Sequence, residues 1–171
     1  LAFAHSKGVV HRDLKPDNIM VGDFGEVLIM DWGLAKLLER DSFLPIASDS
    51  GESETSDNAL VQTVRRVRSS DGNARTIDGT IQGTPAYMPP EQARGEIDQI
   101  DERSDVYSLG AILYEILTLK RPVEGETLSQ IVKNAAKGNI VPPERRTPDR
   151  LIPAELSAVV MKSLCLSRED R

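Results

Sequence analysis

His11-Arg12-Asp13-Leu14-Lys15-Pro16-Asp17-Asn18 is the stretch on which the fold turns. It is a polar loop that follows a short apolar step, Val9-Val10, and precedes a strand-like Ile19-Met20-Val21. Gly22-Asp23-Phe24-Gly25 has the glycines of a hairpin turn. Val27-Leu28-Ile29-Met30 reads as the return strand, and it delivers Asp31-Trp32-Gly33 at its end. Such a hairpin brings Asn18 and Asp31 near each other. Two oxygen donors of this kind suit Mg²⁺, which fills the rest of its shell with phosphate and water. Asp13 lies close enough before Asn18 to face the same site. Lys15 adds positive charge where phosphate charge needs stabilising. Gly33 gives the backbone freedom beside Asp31.

Outward from this unit the chain divides simply. Leu1-Ala2-Phe3-Ala4-His5 reads as the last turn or two of a helix, stopped at Lys7-Gly8. Residues 39–78 are first rich in Ser, Thr, Asp and Glu, then basic at Arg65, Arg66 and Arg68. Weak apolar periodicity there predicts a long loop-like insertion. Proline at the start of Pro89-Pro90-Glu91-Gln92-Ala93-Arg94 predicts a short helix. Val106, Leu109, Ala111, Ile112, Leu113, Ile116 and Leu117 lie almost all round a helix from about Glu102 to Leu119, so that helix is expected to be central and buried. Further helices are expected over Thr127–Lys137, before Gly138, and from about Ala154 to Leu166, after Pro153.

Bulk properties narrow the field. The chain has 171 residues, enough for one domain with a core. Its 21 Lys and Arg against 27 Asp and Glu give a net charge of −6, which disfavours general binding to nucleic acid or anionic membrane. One cysteine, Cys165, forbids an intramolecular disulfide and fits a reducing compartment. The longest apolar run, Leu109 to Leu119, is broken by Glu115 and is too short to span a bilayer. No signal peptide opens the sequence.

Four motifs in order carry a family resemblance. His11 to Asn18 resembles the catalytic loop of eukaryotic-type protein kinases. Asp31-Trp32-Gly33 resembles their metal loop, with Trp where Phe is usual. Gly83-Thr84-Pro85-Ala86-Tyr87-Met88-Pro89-Pro90-Glu91 resembles the end of the activation segment. Asp105-Val106-Tyr107-Ser108-Leu109-Gly110 resembles the start of the central helix. The phrasing is most similar to bacterial serine/threonine kinases of the Hanks type.

The resemblance implies an α+β kinase-like fold, here a mostly helical C-terminal lobe with a small β-hairpin. It implies one partial kinase domain over 1–171, with catalytic loop 11–18, metal loop 31–33, insertion at about 39–78 and helical region 89–171. It also implies transfer of the ATP γ-phosphate to Ser or Thr hydroxyls of protein substrates, with Mg²⁺ or Mn²⁺ as the ion. Asp13 would accept or orient the substrate hydroxyl, Lys15 would contact the γ-phosphate, and Asn18 and Asp31 would hold the metal. Met20 would pack under adenine. Thr84 would touch Asp13 and Lys15. Arg12 would pair with a phosphate on the activation segment, for which Thr76 and Thr80 are candidates. Asp105 would hold the catalytic-loop backbone, and Glu91 would pair with an arginine near the chain end, Arg171.

Blander roles stand beside these. His11 and His5 are expected to be structural, Trp32 a core residue, Cys165 buried and inert, and Tyr87 and Met88 wall residues. The resemblance covers the C-terminal lobe only. The sequence contains no Gly-x-Gly-x-x-Gly loop, no Val-Ala-Ile-Lys strand and no partner-glutamate helix. The N-terminal lobe is therefore expected to be absent from these residues and present in the full-length protein. The 171 residues are expected to be inactive alone. A kinase domain of this type is expected in the cytoplasm, compatible with a membrane anchor outside the segment. The alternative function is a non-catalytic, pseudokinase-like binding module.

Overall fold

A computed structural model describes residues 1–38 and 85–171. The expected insertion at 39–78, together with Thr76, Thr80 and Thr84, lies outside the described residues.

Helix α1, Ala2–Ser6, ends where the Gly8 N–H bonds the His5 carbonyl at 2.9 Å. Gly8 adopts φ +75, and a Cβ there would press on the Leu38 carbonyl at 3.2 Å. Both facts call for glycine. Strand β1, Val9–Val10, then leads into the catalytic loop. Strands β2, Ile19–Val21, and β3, Val27–Ile29, form the expected hairpin with Met20 opposite Leu28. Strand β4, Lys36–Leu37, returns to β1 in antiparallel register, Val9 opposite Leu37 and Val10 opposite Lys36.

The helical part begins with α2, Pro90–Arg94, which Gly95 ends in a left-handed conformation. Helix α3, Glu102–Thr118, is capped by the Asp101 side chain, which accepts from Arg103 N–H at 2.8 Å. Helix α4, Leu128–Lys137, is capped by Thr127 and stopped by Gly138. Helices α5, Pro143–Arg146, and α6, Ala154–Ser163, follow. Helix α3 packs against α5, α6 and β1, so it connects the helical core to the strand that feeds the catalytic loop. At Gly110 a Cβ would collide with the Ser163 hydroxyl, so glycine sets the close approach of α3 and α6.

The buried face of α3 differs from its expected one. Tyr107, Ala111 and Tyr114 are buried, together with the polar Ser104, Asp105 and Ser108. Val106, Leu109 and Ile116 are exposed, Ile116 to 62%. Central position in the helix order therefore does not mean burial all round. The core is filled by tyrosines and small residues, against Ala135, Val160 and Leu164 from α4, α6 and its C-terminal end. Burying a side chain such as Val160 stabilises by roughly 1.5–3 kcal/mol. Among the described residues no helix is long and apolar enough to cross a membrane.

Candidate active site

The catalytic loop rests on a carboxylate from α3. Asp105 is fully buried, and a buried carboxylate requires donors. Its Oδ2 accepts the His11 N–H at 2.8 Å and its Oδ1 the Arg12 N–H at 2.9 Å. His5 Nε2 lies 2.8 Å from the same Oδ2. These bonds hold Arg12 at φ +70, a left-handed conformation that costs a non-glycine residue roughly 1–2 kcal/mol. The Arg12 Nε also donates to the Leu34 carbonyl at 2.6 Å, tying the loop to the chain beyond Asp31.

Asp13, Lys15 and Asn18 converge just past this anchor. Lys15 Nζ donates to Asp13 Oδ2 at 2.8 Å. Asn18 Nδ2 donates to the Asp13 carbonyl at 2.8 Å and to Asp13 Oδ2 at 3.1 Å. With its side-chain nitrogen committed twice, Asn18 has its side-chain oxygen Oδ1 left over for a cation. Pro16–Asn18 forms a 3-10 turn, with proline at its first position, that sets this spacing.

His11 couples the two loops. Its Nε2 lies 3.0 Å from the Met30 carbonyl, which can only accept, so Nε2 carries the proton. Nδ1 is thereby the acceptor for the Asp13 N–H at 3.3 Å. With both ring nitrogens engaged, His11 presents no free nitrogen to a substrate. The Met30 N–H donates to the Asn18 carbonyl at 2.9 Å, which sets Asp31 one residue from the Asn18 backbone pairing. Asp31 stands at φ 58, ψ 67, a conformation that Asp tolerates better than most residues, and its Oδ1 faces Gly33 N–H at 3.4 Å. The donor set of Asn18 and Asp31, two hard oxygens, fits a magnesium ion that keeps phosphate oxygens and water as its other ligands.

Trp32 departs from its expected core position. It is 38% exposed, packs its ring edge-on against His11 at 4.7 Å, and donates Nε1–H to the Ile29 carbonyl at 3.0 Å. Met20, opposite Leu28 in the hairpin, is half exposed. Beside the loop, a groove is lined by Pro16, Asp17, Ile19, Tyr87, Glu115 and Arg121. The Tyr87 hydroxyl donates to Glu115 there. Burial, then this hydrogen bond and the Glu115 charge, push the Tyr87 hydroxyl up to about 12.

Glu91 and Arg171 form a separate buried cluster. Arg171 NH1 and NH2 donate to the two Glu91 oxygens at 2.7 and 2.8 Å, and Ser104 Oγ donates to Oε1 at 2.8 Å. The Arg171 guanidinium also lies over the Tyr107 ring at 4.9 Å. Burial alone would raise the Glu91 carboxyl. Hydrogen bonds from Arg171, the backbone and Ser104 outweigh it and hold the group below the usual carboxylate range. Sequence inspection assigned no such part to His5, Ser104 or Tyr107. Their partners lie far away in the sequence (100 positions for His5 and Asp105), so no local pattern announces them.

The protein kinase domain model matches residues 1–171, and the chain belongs to that family. It is 39% identical over 171 residues to the serine/threonine-protein kinase PknD of Protochlamydia amoebophila, covering 100% of the chain and 16% of that relative. PknD of Chlamydia trachomatis is also 39% identical, over 172 residues, covering 99% of the chain and 16% of the relative. PknB of Mycolicibacterium smegmatis is 37% identical over 171 residues, covering 100% and 22%. The chain thus spans less than a quarter of these relatives' lengths. All three carry serine/threonine-protein kinase names, and the Hanks-type bacterial resemblance holds along the whole chain.

Proposed function

We propose that this chain is the catalytic-loop half of a serine/threonine protein kinase that transfers the ATP γ-phosphate to a protein hydroxyl. The observation that carries this is the convergence of Asp13, Lys15 and Asn18, held from beneath by Asp105 and joined through His11 to the Asp31 loop. Asp13 orients the substrate hydroxyl and takes its proton as the bond from that oxygen to the γ-phosphorus forms and the bond from phosphorus to the bridging oxygen breaks, releasing ADP. Lys15, already 2.8 Å from Asp13, spans between that carboxylate and the transferred phosphoryl oxygens. Asn18 and Asp31 would hold the metal. When bound, Mg²⁺ neutralises charge on the phosphate oxygens and fixes their orientation. Met20 lies under the adenine. By the family likeness, Thr84 would touch Asp13 and Lys15, and Arg12 would pair with a phosphate carried by Thr76 or Thr80.

The glycine-rich phosphate cover and its lysine have no counterpart in these 171 residues. Met20, Val21, Phe24, Val27 and Leu28 crowd the hairpin as an exposed apolar surface, which supports packing against an N-terminal lobe elsewhere in the full-length protein. Alone, the 171 residues are inactive. The catalytic half works in the cytoplasm, where ATP is available. A non-catalytic binding module has no need of Asp13, Lys15, Asn18 and Asp31 together, so the intact set favours catalysis.

The test is ATP-dependent labelling of substrate by the full-length protein against Asp13→Asn. Loss of a positioned proton acceptor lowers the rate by about 100- to 10,000-fold. Equal labelling by both proteins would refute the assignment.

A further inference from the structure

We infer that Leu119 and Ile116 select an apolar side chain of the protein substrate, held in the groove beside the catalytic loop. Helices α2, α3 and α4 each end on a left-handed residue. Gly95 closes α2 at φ +75, and Gly138 closes α4 at φ +65. Leu119 closes α3 at φ 55, ψ 24, where its N–H bonds the Glu115 carbonyl at 2.7 Å. Glycine meets that geometry without a Cβ penalty, and leucine does not. Packing does not offset the strain, because the Leu119 side chain is 72% exposed. Strain that the fold does not use points to a function for the side chain that causes it.

That side chain lines a groove of about 520 Å³, together with Ile19, Ile112 and Ile116. Ile116, also exposed, stands one turn before Leu119 on the same side of α3. Glu115 lines the groove as well, but it accepts from the Tyr87 hydroxyl and lies 3.9 Å from Arg121 Nε. Its charge is thereby balanced within the protein. What α3 leaves for a ligand is aliphatic surface, which gains by removal from water. Pro16 and Asp17 line the same groove, and they lie between Lys15 and Asn18 in the catalytic loop. The groove is therefore continuous with the site of the acceptor hydroxyl, and its occupant is the polypeptide that carries that hydroxyl. Asp17 brings a carboxylate to the groove, so selection of a basic residue is the competing outcome.

The identity of the occupant rests on the phosphotransfer reading, and the experiment separates the two. Full-length protein is prepared as wild type, Leu119→Gly, Leu119→Met and Ile116→Gln. Each is given arrays of serine-centred peptides on an alanine background, with one flanking position at a time set to Leu, Phe, Arg, Glu or Ala. Phosphorylation with ATP gives kcat/KM for each peptide. Binding of the labelled proteins to the same arrays is read without ATP, and Tm is measured alongside.

Wild type is expected to favour Leu or Phe over Ala at one flanking position by at least about tenfold, the scale on which a pocket reads small differences in apolar bulk. In Leu119→Gly and Ile116→Gln that ratio falls toward unity, and in Leu119→Met it survives. Leu119→Gly keeps or raises Tm, because glycine relieves the left-handed strain. A wild type that favours Arg, or favours no residue, overturns the inference. So does a Leu119→Gly protein that keeps the apolar ratio, or one whose Tm falls, since the leucine would then serve the fold. If wild type phosphorylates no peptide, the phosphotransfer assignment fails, and the apolar ratio in the binding arrays still decides the groove.

Discussion

Arg171 grips Glu91 through two parallel hydrogen bonds, 2.7 and 2.8 Å long, across 80 positions of sequence. The arginine side chain is completely buried and the glutamate nearly so. Arg171 also donates Nε–H to the Cys165 carbonyl at 2.9 Å, which ties α2 to the chain after α6.

Removing one partner of a buried pair leaves the other charge without compensation. Arg171→Ala is therefore expected to destabilise the full-length protein's kinase region by about 3–5 kcal/mol. Denaturant unfolding measures it. Adding Glu91→Gln to Arg171→Ala should recover part of the loss, since neighbouring changes of this kind are not additive. A double variant as unstable as the sum of the singles would contradict the pairing.

The same pair predicts an acid limb. The Glu91 carboxyl lies below its ordinary 4.5 in the folded protein. The unfolded chain then binds the proton more readily. The pair's contribution is complete above pH 4.5 and declines as pH falls through the lower folded value. Unfolding free energy followed from pH 6 downward should show this decline in wild type. Glu91→Gln should flatten it while lowering stability at pH 6.

At the alkaline end three tyrosines, Tyr87, Tyr107 and Tyr114, act in the opposite sense, each raised first by burial. Burial pushes the Tyr107 hydroxyl up to about 12, and Tyr87 is raised to a similar value. A raised folded value gives stability that is full below the unfolded value of about 10 and is lost as pH climbs toward 12. Tyr107→Phe should remove the Tyr107 share and leave those of Tyr87 and Tyr114. The Tyr107 hydroxyl is also buried without a hydrogen-bond partner among the described residues. Tyr107→Phe should accordingly be neutral or stabilising at pH 7, by up to about 1 kcal/mol. Thermal unfolding at pH 7 and pH 11 checks both statements.

Asp31→Asn tests the metal loop. An amide oxygen is a weaker ligand than a carboxylate for a hard cation. Titration of activity with Mg²⁺ in the full-length protein should shift to higher concentration by at least about tenfold, the scale seen when a ligand's supporting group is lost. An unchanged titration would remove Asp31 from the metal site.

Much of this architecture is legible in the residues. Gly22 and Gly25 announce the hairpin. Thr127 and Gly138 bracket α4 within a residue, and Pro90 opens α2. The catalytic loop stands out because Asp13, Lys15 and Asn18 fall in one short polar stretch. What was not legible has a common cause. The β1–β4 ladder has two-residue strands, too short for any alternation to register. The buried face of α3 could not be read from apolar periodicity, because Tyr107, Tyr114, Ser104 and Ser108 take core positions while Ile116 faces outward. Trp32 is expected in the core, yet its indole N–H bonds the Ile29 carbonyl, and the ring stays partly exposed beside His11. The partners of Asp105 depend on a helix that arrives far later in the chain.

The short ladder between β1 and β4 has one more effect. By joining Val9 to Leu37 and Val10 to Lys36, it closes everything between them into a ring, with both functional loops fastened near the clasp. The hairpin tip hangs from this ring as a free end, and Phe24 at that tip is 97% exposed. The separation of Asp13 and Asp31 is then indifferent to the tip's length. A few residues spliced in between Asp23 and Gly25 would lengthen the pendant and leave the clasp, and the spacing it sets, where they are.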